Sequence, residues 1–326
     1  MLKSNWIYRV ILIVMIAFVS VDADAQDPEF SQFYANQLYL NPAFAGSHGC
    51  PRFNLNYRNQ WPALSGTFVT YSASYDQFFK AISGGIGVLI THDQQGKGTI
   101  NTTTGSLIYS YRLNIGRKFS LHFAAQATWN QRFLDWDKLT FGDQIDARRG
   151  FIYETGDKRR GGSRGYFDVS AGILGYSKIF YFGFVAKHLN MPNESMILGK
   201  NNRMPIRMTG HFGANIQLGK GSKYSNKTAI LPNIMWSYQQ GFMQLSLGVY
   251  VKYGVFTAGA WWREGDAFIV SAGVDTGVFK LGYSYDVTIS KLNNNISGGS
   301  HEVSMGINLN CKKKPKTWRT ISCPSF

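Results

Sequence analysis

The sequence predicts an all-β protein: a 14-stranded antiparallel up-and-down transmembrane β-barrel with a short N-terminal helical segment. Three observations predict it. Residues 52–309 divide into short stretches in which apolar and polar side chains take turns, the period-two repeat of a strand. The connections between those stretches alternate short and long, as in an outer-membrane barrel with tight turns on one side and free loops on the other. The chain also opens like an export substrate.

That opening comes first in the chain. Lys3 and Arg9 precede an apolar run, Ile11 to Val19, and Ala23-Asp24-Ala25 places small residues where a signal peptidase reads. Cleavage is expected after Ala25, so residues 1–25 read as a signal peptide. The run is short of the ~20 apolar residues that a spanning helix needs. Gln26, not Cys, directly follows the cleavage site, which argues against a lipoprotein.

Residues 26–49 follow as a separate N-terminal segment. Asp27-Pro28-Glu29 is a helix start: a capping Asp, a Pro at the first helical position and an acid in the first turn. Phe30, Phe33, Tyr34, Gln37 and Leu38 then share one helical face, and Asn41-Pro42 ends the helix. This stretch either caps or enters the periplasmic mouth of the barrel, or simply orders the N-terminus.

Residues 50–310 carry the barrel. Phe242 to Tyr253 is the clearest strand: Met243, Leu245, Leu247, Val249, Val251 and Tyr253 point one way, and Gln244, Ser246, Gly248, Tyr250 and Lys252 point to a wet lumen. Phe53, Leu55 and Tyr57 alternate in the same way with Arg52, Asn54, Asn56 and Arg58, and Val303, Met305, Ile307 and Leu309 with Glu302, Ser304, Gly306 and Asn308. The number of strands is even, as single-chain outer-membrane barrels require. Fourteen tilted strands ~4.8 Å apart enclose a backbone diameter of roughly 30 Å. Wall side chains cannot fill that width, so the lumen is an aqueous channel or holds a plug. Tyr181-Phe182-Gly183-Phe184-Val185 is apolar on both faces, as if something inside the barrel packs there.

Composition agrees with this class. The 326 residues are 15% aromatic and include 35 Gly, yet mean hydropathy is only −0.17, because only alternate residues of a barrel strand meet lipid. The formal net charge is +15. Export excludes nucleic acid as the partner; a basic face meeting anionic outer-membrane lipid or an acidic protein fits better.

Several motifs resemble one family. Gln26-Asp27-Pro28, Ser31-Gln32-Phe33, Leu40-Asn41-Pro42-Ala43 and Ala45-Gly46 open the mature chain. Tyr57-Arg58-Asn59-Gln60-Trp61-Pro62 and Tyr71-Ser72-Ala73-Ser74-Tyr75-Asp76 follow, then Gly282-Tyr283-Ser284-Tyr285-Asp286 and Gly299-Ser300-His301-Glu302-Val303-Ser304. In this order they resemble the PorP/SprF family. The resemblance implies an outer-membrane accessory barrel of the type IX secretion and gliding-motility apparatus. Its partners would be a secreted surface adhesin with a C-terminal sorting domain and other subunits of the machine. The motif residues that carry such contacts would be Ser31, Gln32, Asn41, Pro42, Tyr57, Arg58, Trp61, Asp76, His301 and Glu302. Both termini are expected in the periplasm. A passive porin or small-solute transporter is the alternative reading, since a polar lumen suffices for it.

Residues 311–326 form a basic tail with Lys312, Lys313, Lys314, Lys316 and Arg319; it is similar to that of the gliding-type members. Cys50, Cys311 and Cys323 allow three pairings, and Cys50–Cys311 would staple the barrel seam in an oxidising compartment. Zinc lacks a supporting His or a second paired-Cys motif. Arg148, Arg149, Lys158, Arg159, Arg160 and Arg164 make one long external loop basic. No nucleophile elbow, phosphate-cradling loop or zinc-protease motif is present. Ser300-His301 is an adjacent Ser/His pair and reads best as a strand-start turn. No enzyme activity, metal or cofactor is expected.

Overall fold

Fifteen strands share one sheet in the computed structural model, which describes residues 27–309 except 117, 147, 157–161, 197–200, 219–227 and 291–293. The expected leader, the tail with Cys311 and Cys323, and Lys158, Arg159 and Arg160 lie outside the described residues.

The first strands are β1 (Arg52–Gln60), β2 (Phe68–Phe79), β3 (Gly84–Gln95), β4 (Ile100–Ile115) and β5 (Phe119–Leu134). A small loop hairpin follows, β6 (Ile145–Asp146) with β7 (Gly150–Phe151). Next come β8 (Ser163–Tyr176), β9 (Phe180–Lys187), β10 (Arg207–Ala214), β11 (Ile216–Leu218) and β12 (Thr228–Gln239). The last are β13 (Phe242–Tyr253), β14 (Phe256–Arg263), β15 (Ala267–Asp275), β16 (Phe279–Thr288) and β17 (Ser300–Asn308). The helices α1 (Gln37–Leu40) and α2 (Asn294–Ser297) are single turns.

β10 and β11 are one stave. Gly213 lies opposite Asn233 and Ile216 opposite Ile230, so the register runs on unbroken. The gap at Asn215 falls beside Pro232, which has no amide to give to the ladder. Fifteen strands less this one division make fourteen staves. Neighbouring staves pair antiparallel, and β1 closes on β17 with Arg52 opposite Asn308. Closure leaves no sheet edge, so every wall amide can find its partner without water.

Burial along the wall is inverted relative to a soluble protein. In β1, Phe53 and Leu55 are 45% and 44% exposed, while Arg52, Asn54, Asn56 and Arg58 are buried. That is the arrangement of a wall with lipid outside and a filled lumen inside. Exposed aromatics flank the apolar belt: Tyr57, Tyr71, Phe133 and Tyr283 toward the long loops, and Phe79, Phe180, Tyr253 and Phe256 toward the tight turns. Among the described residues no helix is long and apolar enough to cross a membrane.

The interior decides between the two readings of the lumen that the sequence leaves open. The lumen holds a plug, and the plug is the chain's own N-terminal segment. Phe33, Tyr34, Leu38, Ala43 and Phe44 are buried among inward residues of the wall, including Leu174, Tyr176, Tyr181, Trp261 and Ile269. The lumen-facing side of β13 is therefore dry rather than wet at Tyr250, whose ring packs 5.7 Å from that of Trp261. The doubly apolar stretch at Tyr181 is explained: its ring meets Tyr34 edge-on at 5.7 Å.

Candidate functional site

The plug is not the amphipathic helix expected from its residue spacing. Helix forms only at Gln37–Leu40, followed by a 3-10 turn at Pro42–Phe44. Asn41 is extended and ends α1, the conformation favoured before Pro42. Residues 27–36 stay irregular because the wall takes their polar groups. The Ser31 and Gln32 amides donate to Glu302 Oε2 and Oε1 at 2.6 and 3.2 Å. Asp27 caps nothing; its carboxylate accepts from His188. The segment also does more than cap a mouth. Asp27 and Glu29 lie beside His188 and Arg207, at the long-loop end of β9 and β10, and Gly46 bonds Asp76 near the tight-turn end of β2. The plug thus runs the length of the lumen.

Its strongest anchor joins residues far apart in sequence. Ser31 Oγ donates to Asp286 Oδ2 at 2.5 Å and accepts from Arg58 and Arg263. Arg58 also meets Asp286 at 2.9 Å and Glu302 at 3.4 Å. Two arginines thus balance two carboxylates, all buried, with a hydroxyl at the centre. Such a group needs every partner, because a buried charge left alone is strongly destabilising. Gln32 completes the clasp: Nε2 donates to the Glu302 carbonyl at 3.0 Å, and Oε1 accepts from Ser304 at 2.6 Å. Gly282 must lack a side chain here, since a Cβ would lie 2.4 Å from Gln32 Oε1.

Lower anchors follow the same logic. Arg52 bridges the Asp76 carboxylate at 2.9 Å and Gln37 of the plug, and the Gly46 amide donates to Asp76 at 2.9 Å. Asn41 Oδ1 accepts from the Ala43 amide at 2.9 Å, and its Nδ2 donates to the Ile173 carbonyl at 3.1 Å. Arg112 Nη2 donates to the Gly46 carbonyl at 3.2 Å.

Above the plug lies a vestibule of about 860 Å³ at the long-loop end, floored by Asp27, Pro28, Glu29 and Tyr39. His188 holds this floor to the wall. Its Nε2 lies 2.8 Å from Asp27 and its Nδ1 3.0 Å from Asp168. Carboxylates only accept, so both ring nitrogens must carry protons. Burial alone would lower the His188 pKa, but the Asp27 charge, together with hydrogen bonds to both carboxylates, pushes it up to about 9. Burial would raise that of Asp27, yet His188, Arg207 and Lys187 hold it well below the usual carboxylate range.

The residues singled out in the sequence fall into three places. Ser31, Gln32, Arg58 and Glu302 meet in one cluster, and Asn41, Pro42 and Asp76 seat the lower plug. Trp61 lines the vestibule. Tyr57 and His301 face outward instead: Tyr57 packs on Tyr71, and His301 Nδ1 is 2.8 Å from the Tyr283 hydroxyl. Cys50 is disulfide-bonded, and its candidate partners lie outside the described residues. Asp27, Glu29, Asp168, His188, Arg207 and Arg263 went unmarked as site residues. For Arg207 and Arg263 the signal was an arginine on the inward face of a strand.

The sequence of this chain is matched by a family model. The model, described as type IX secretion system membrane protein PorP/SprF, covers residues 22–307. The chain belongs to this family. The PorP/SprF motifs quoted from the sequence are thus largely plug and plug-binding positions. No curated protein matches the sequence. Among solved structures, the chain is similar to Omp33 of Acinetobacter baumannii, at 8% identity over 80% of this chain and 100% of that one, with a TM-score of 0.41. It is also similar to the toluene transporter TbuX of Ralstonia pickettii, at 9% over 83% and 92%, TM-score 0.46. A FadL homologue of Pseudomonas aeruginosa gives 10% over 80% and 90%, TM-score 0.43. Likeness at this level carries no argument about what this PorP/SprF chain binds or moves.

Proposed function

We propose that this barrel is an accessory component of the type IX secretion and gliding machinery. It binds a secreted adhesin-like partner at its long-loop end and assists that partner's delivery or anchoring at the cell surface. Both termini face the periplasm, where machine subunits dock, and the barrel does no chemistry of its own. The observation that carries this reading is the plug. A lumen occupied by Phe33, Tyr34, Leu38 and Phe44 suits a receptor better than a conduit, while the vestibule above it stays free to receive part of a partner.

The test is a pull-down from outer membranes with a tagged copy, followed by deletion of the gene and a count of surface adhesin. Co-purification of an adhesin and its loss from the surface on deletion are expected. Normal display with nothing co-purified would overturn the reading. A liposome swelling assay separates the porin alternative: the wild-type barrel should be sealed to small solutes, and free flux would favour a passive channel.

A further inference from the structure

Most charges around the vestibule are matched, and the Lys187 ammonium lies 4.1 Å over the Tyr39 ring. Arg132 meets Glu194 at 2.5 Å, Arg263 meets Asp266 at 2.9 Å, His188 serves Asp27 and Asp168, and Arg207 takes Glu29. Glu264 is exposed at the rim, where water solvates it. Asp93 is different. It is 6% exposed, lines the cavity and has no cationic partner among the described residues. Its two oxygens accept only from neutral donors, Thr70 Oγ1 at 2.6 Å and Gln95 Nε2 at 2.9 Å. Those bonds fix the carboxylate in place but supply no counter-charge, and burying a charge without one is costly.

The wall beside Asp93 is neutral and rich in hydrogen-bonding groups. Thr91 and Thr104 hydroxyls pair at 2.6 Å, Ser106 and Thr128 at 2.9 Å, and Gln126 reaches Ser106 at 3.1 Å. Above it the rim is apolar, with Trp61 and Phe68 edge-to-face at 5.6 Å. One carboxylate is too few for a metal ion, and no metal-binding group occurs among the described residues. It suits an ammonium or guanidinium carried on something that also offers amides to the neutral wall. The cavity has the volume of an ordinary ligand site, ~300–1,000 Å³.

We infer that the vestibule binds an extended polypeptide segment carrying a lysine or arginine, whose cationic group pairs with Asp93. This deepens the proposed function and rests on its reading of the long-loop end as a docking face. Entry from that end is the open route, because the plug floors the cavity.

The experiment is calorimetric titration of the purified full chain in detergent micelles. The probes are capped Gly-Thr-Xaa-Thr-Gly pentapeptides with Lys, norleucine or Glu at the centre, and spermidine. The Lys peptide should bind, and either norleucine or Asp93→Asn should weaken binding about tenfold, the usual scale for one charge-assisted bond. Equal binding of Lys and norleucine peptides overturns the pairing, as does a tighter Glu peptide. Spermidine binding without peptide binding makes the site one for free polyamines and also overturns it. If Asp93→Asn fails to fold, the peptide series on the wild-type chain still decides. Because this readout uses isolated protein, absent binding with lost surface adhesin in the deletion strain sinks the inference alone. Binding with normal adhesin display sinks only the proposed function.

Discussion

The backbone of Gly46 in the plug rests on that of Gly85 in β3. A Cβ on Gly85 would lie 2.3 Å from the Ala45 carbonyl oxygen, and one on Gly46 2.6 Å from the Gly85 Cα. Both neighbours are main chain, so neither can rotate away. Gly85→Ala should therefore lift the lower plug off β3, at about 1–3 kcal/mol of strain, while leaving the strand ladder intact. A lower urea midpoint with unchanged heat-modified gel mobility is expected. An unchanged midpoint would mean that the two segments are not in contact in the membrane.

Arg58 is the hub of the upper clasp. Truncation to Ala leaves Glu302 and Asp286 buried with one arginine between them. Breaking a buried pair from one side costs about 3–5 kcal/mol. Removing both sides together should cost less than the sum, because neither charge is then stranded. Folding titrations of Arg58→Met, Glu302→Gln and the double variant measure the coupling. Strict additivity would show that the cluster does not act as a unit.

His188 gives the plug tip a pH limit on the alkaline side. Its folded pKa is raised from 6.5 to about 9, so its contribution is complete below 6.5 and disappears as pH climbs through about 9. Asp27 has the opposite sign: its folded pKa is lowered from 3.8, so its contribution is present above 3.8 and is lost only in acid. Thermal melts of the wild type should fall between neutral pH and pH values above 9. His188→Asn should flatten that limb and shrink the acid limb as well, because Asp27 loses the cation that does most to lower its pKa. An alkaline limb unchanged in the variant would assign the loss to another group.

The wall was legible because a membrane strand writes its environment residue by residue. Phe53, Leu55 and Tyr57 against Asn54, Asn56 and Arg58 is a local pattern, and the structure keeps it. The plug left one local trace, the doubly apolar run at Tyr181 and Val185. Its conformation left none. Whether Ser31 and Gln32 turn into a helix depends on Glu302, more than 250 residues away, whose carboxylate competes for their amides. Asp27 carries the marks of a helix cap, and His188, 161 residues away, decides otherwise. The anchoring groups Asp286 and Arg263 sat at ordinary inward positions, where alternation shows that a residue faces in but not what it will meet.

The plug's energetic role and its gating role can be separated by deleting residues 27–46. Phe33 packs edge-to-face on Trp261 at 5.1 Å, and Tyr34 meets Tyr181. Without them Trp261, Tyr181, Tyr176 and Ile269 would face water inside the barrel. The ladder does not depend on the plug, since each stave bonds its two neighbours. The deleted form should therefore still insert, melt lower than the wild type and conduct ions in planar bilayers where the wild type stays closed. Phe33→Ala should share the loss of stability, about 3–5 kcal/mol for a buried Phe, without conducting, because the bonds of Ser31 and Gln32 to Glu302, of Gln37 to Arg52 and of Gly46 to Asp76 still hold the segment in place. A deletion that remains non-conducting would mean that the loops, rather than Phe33 and its neighbours, close this barrel.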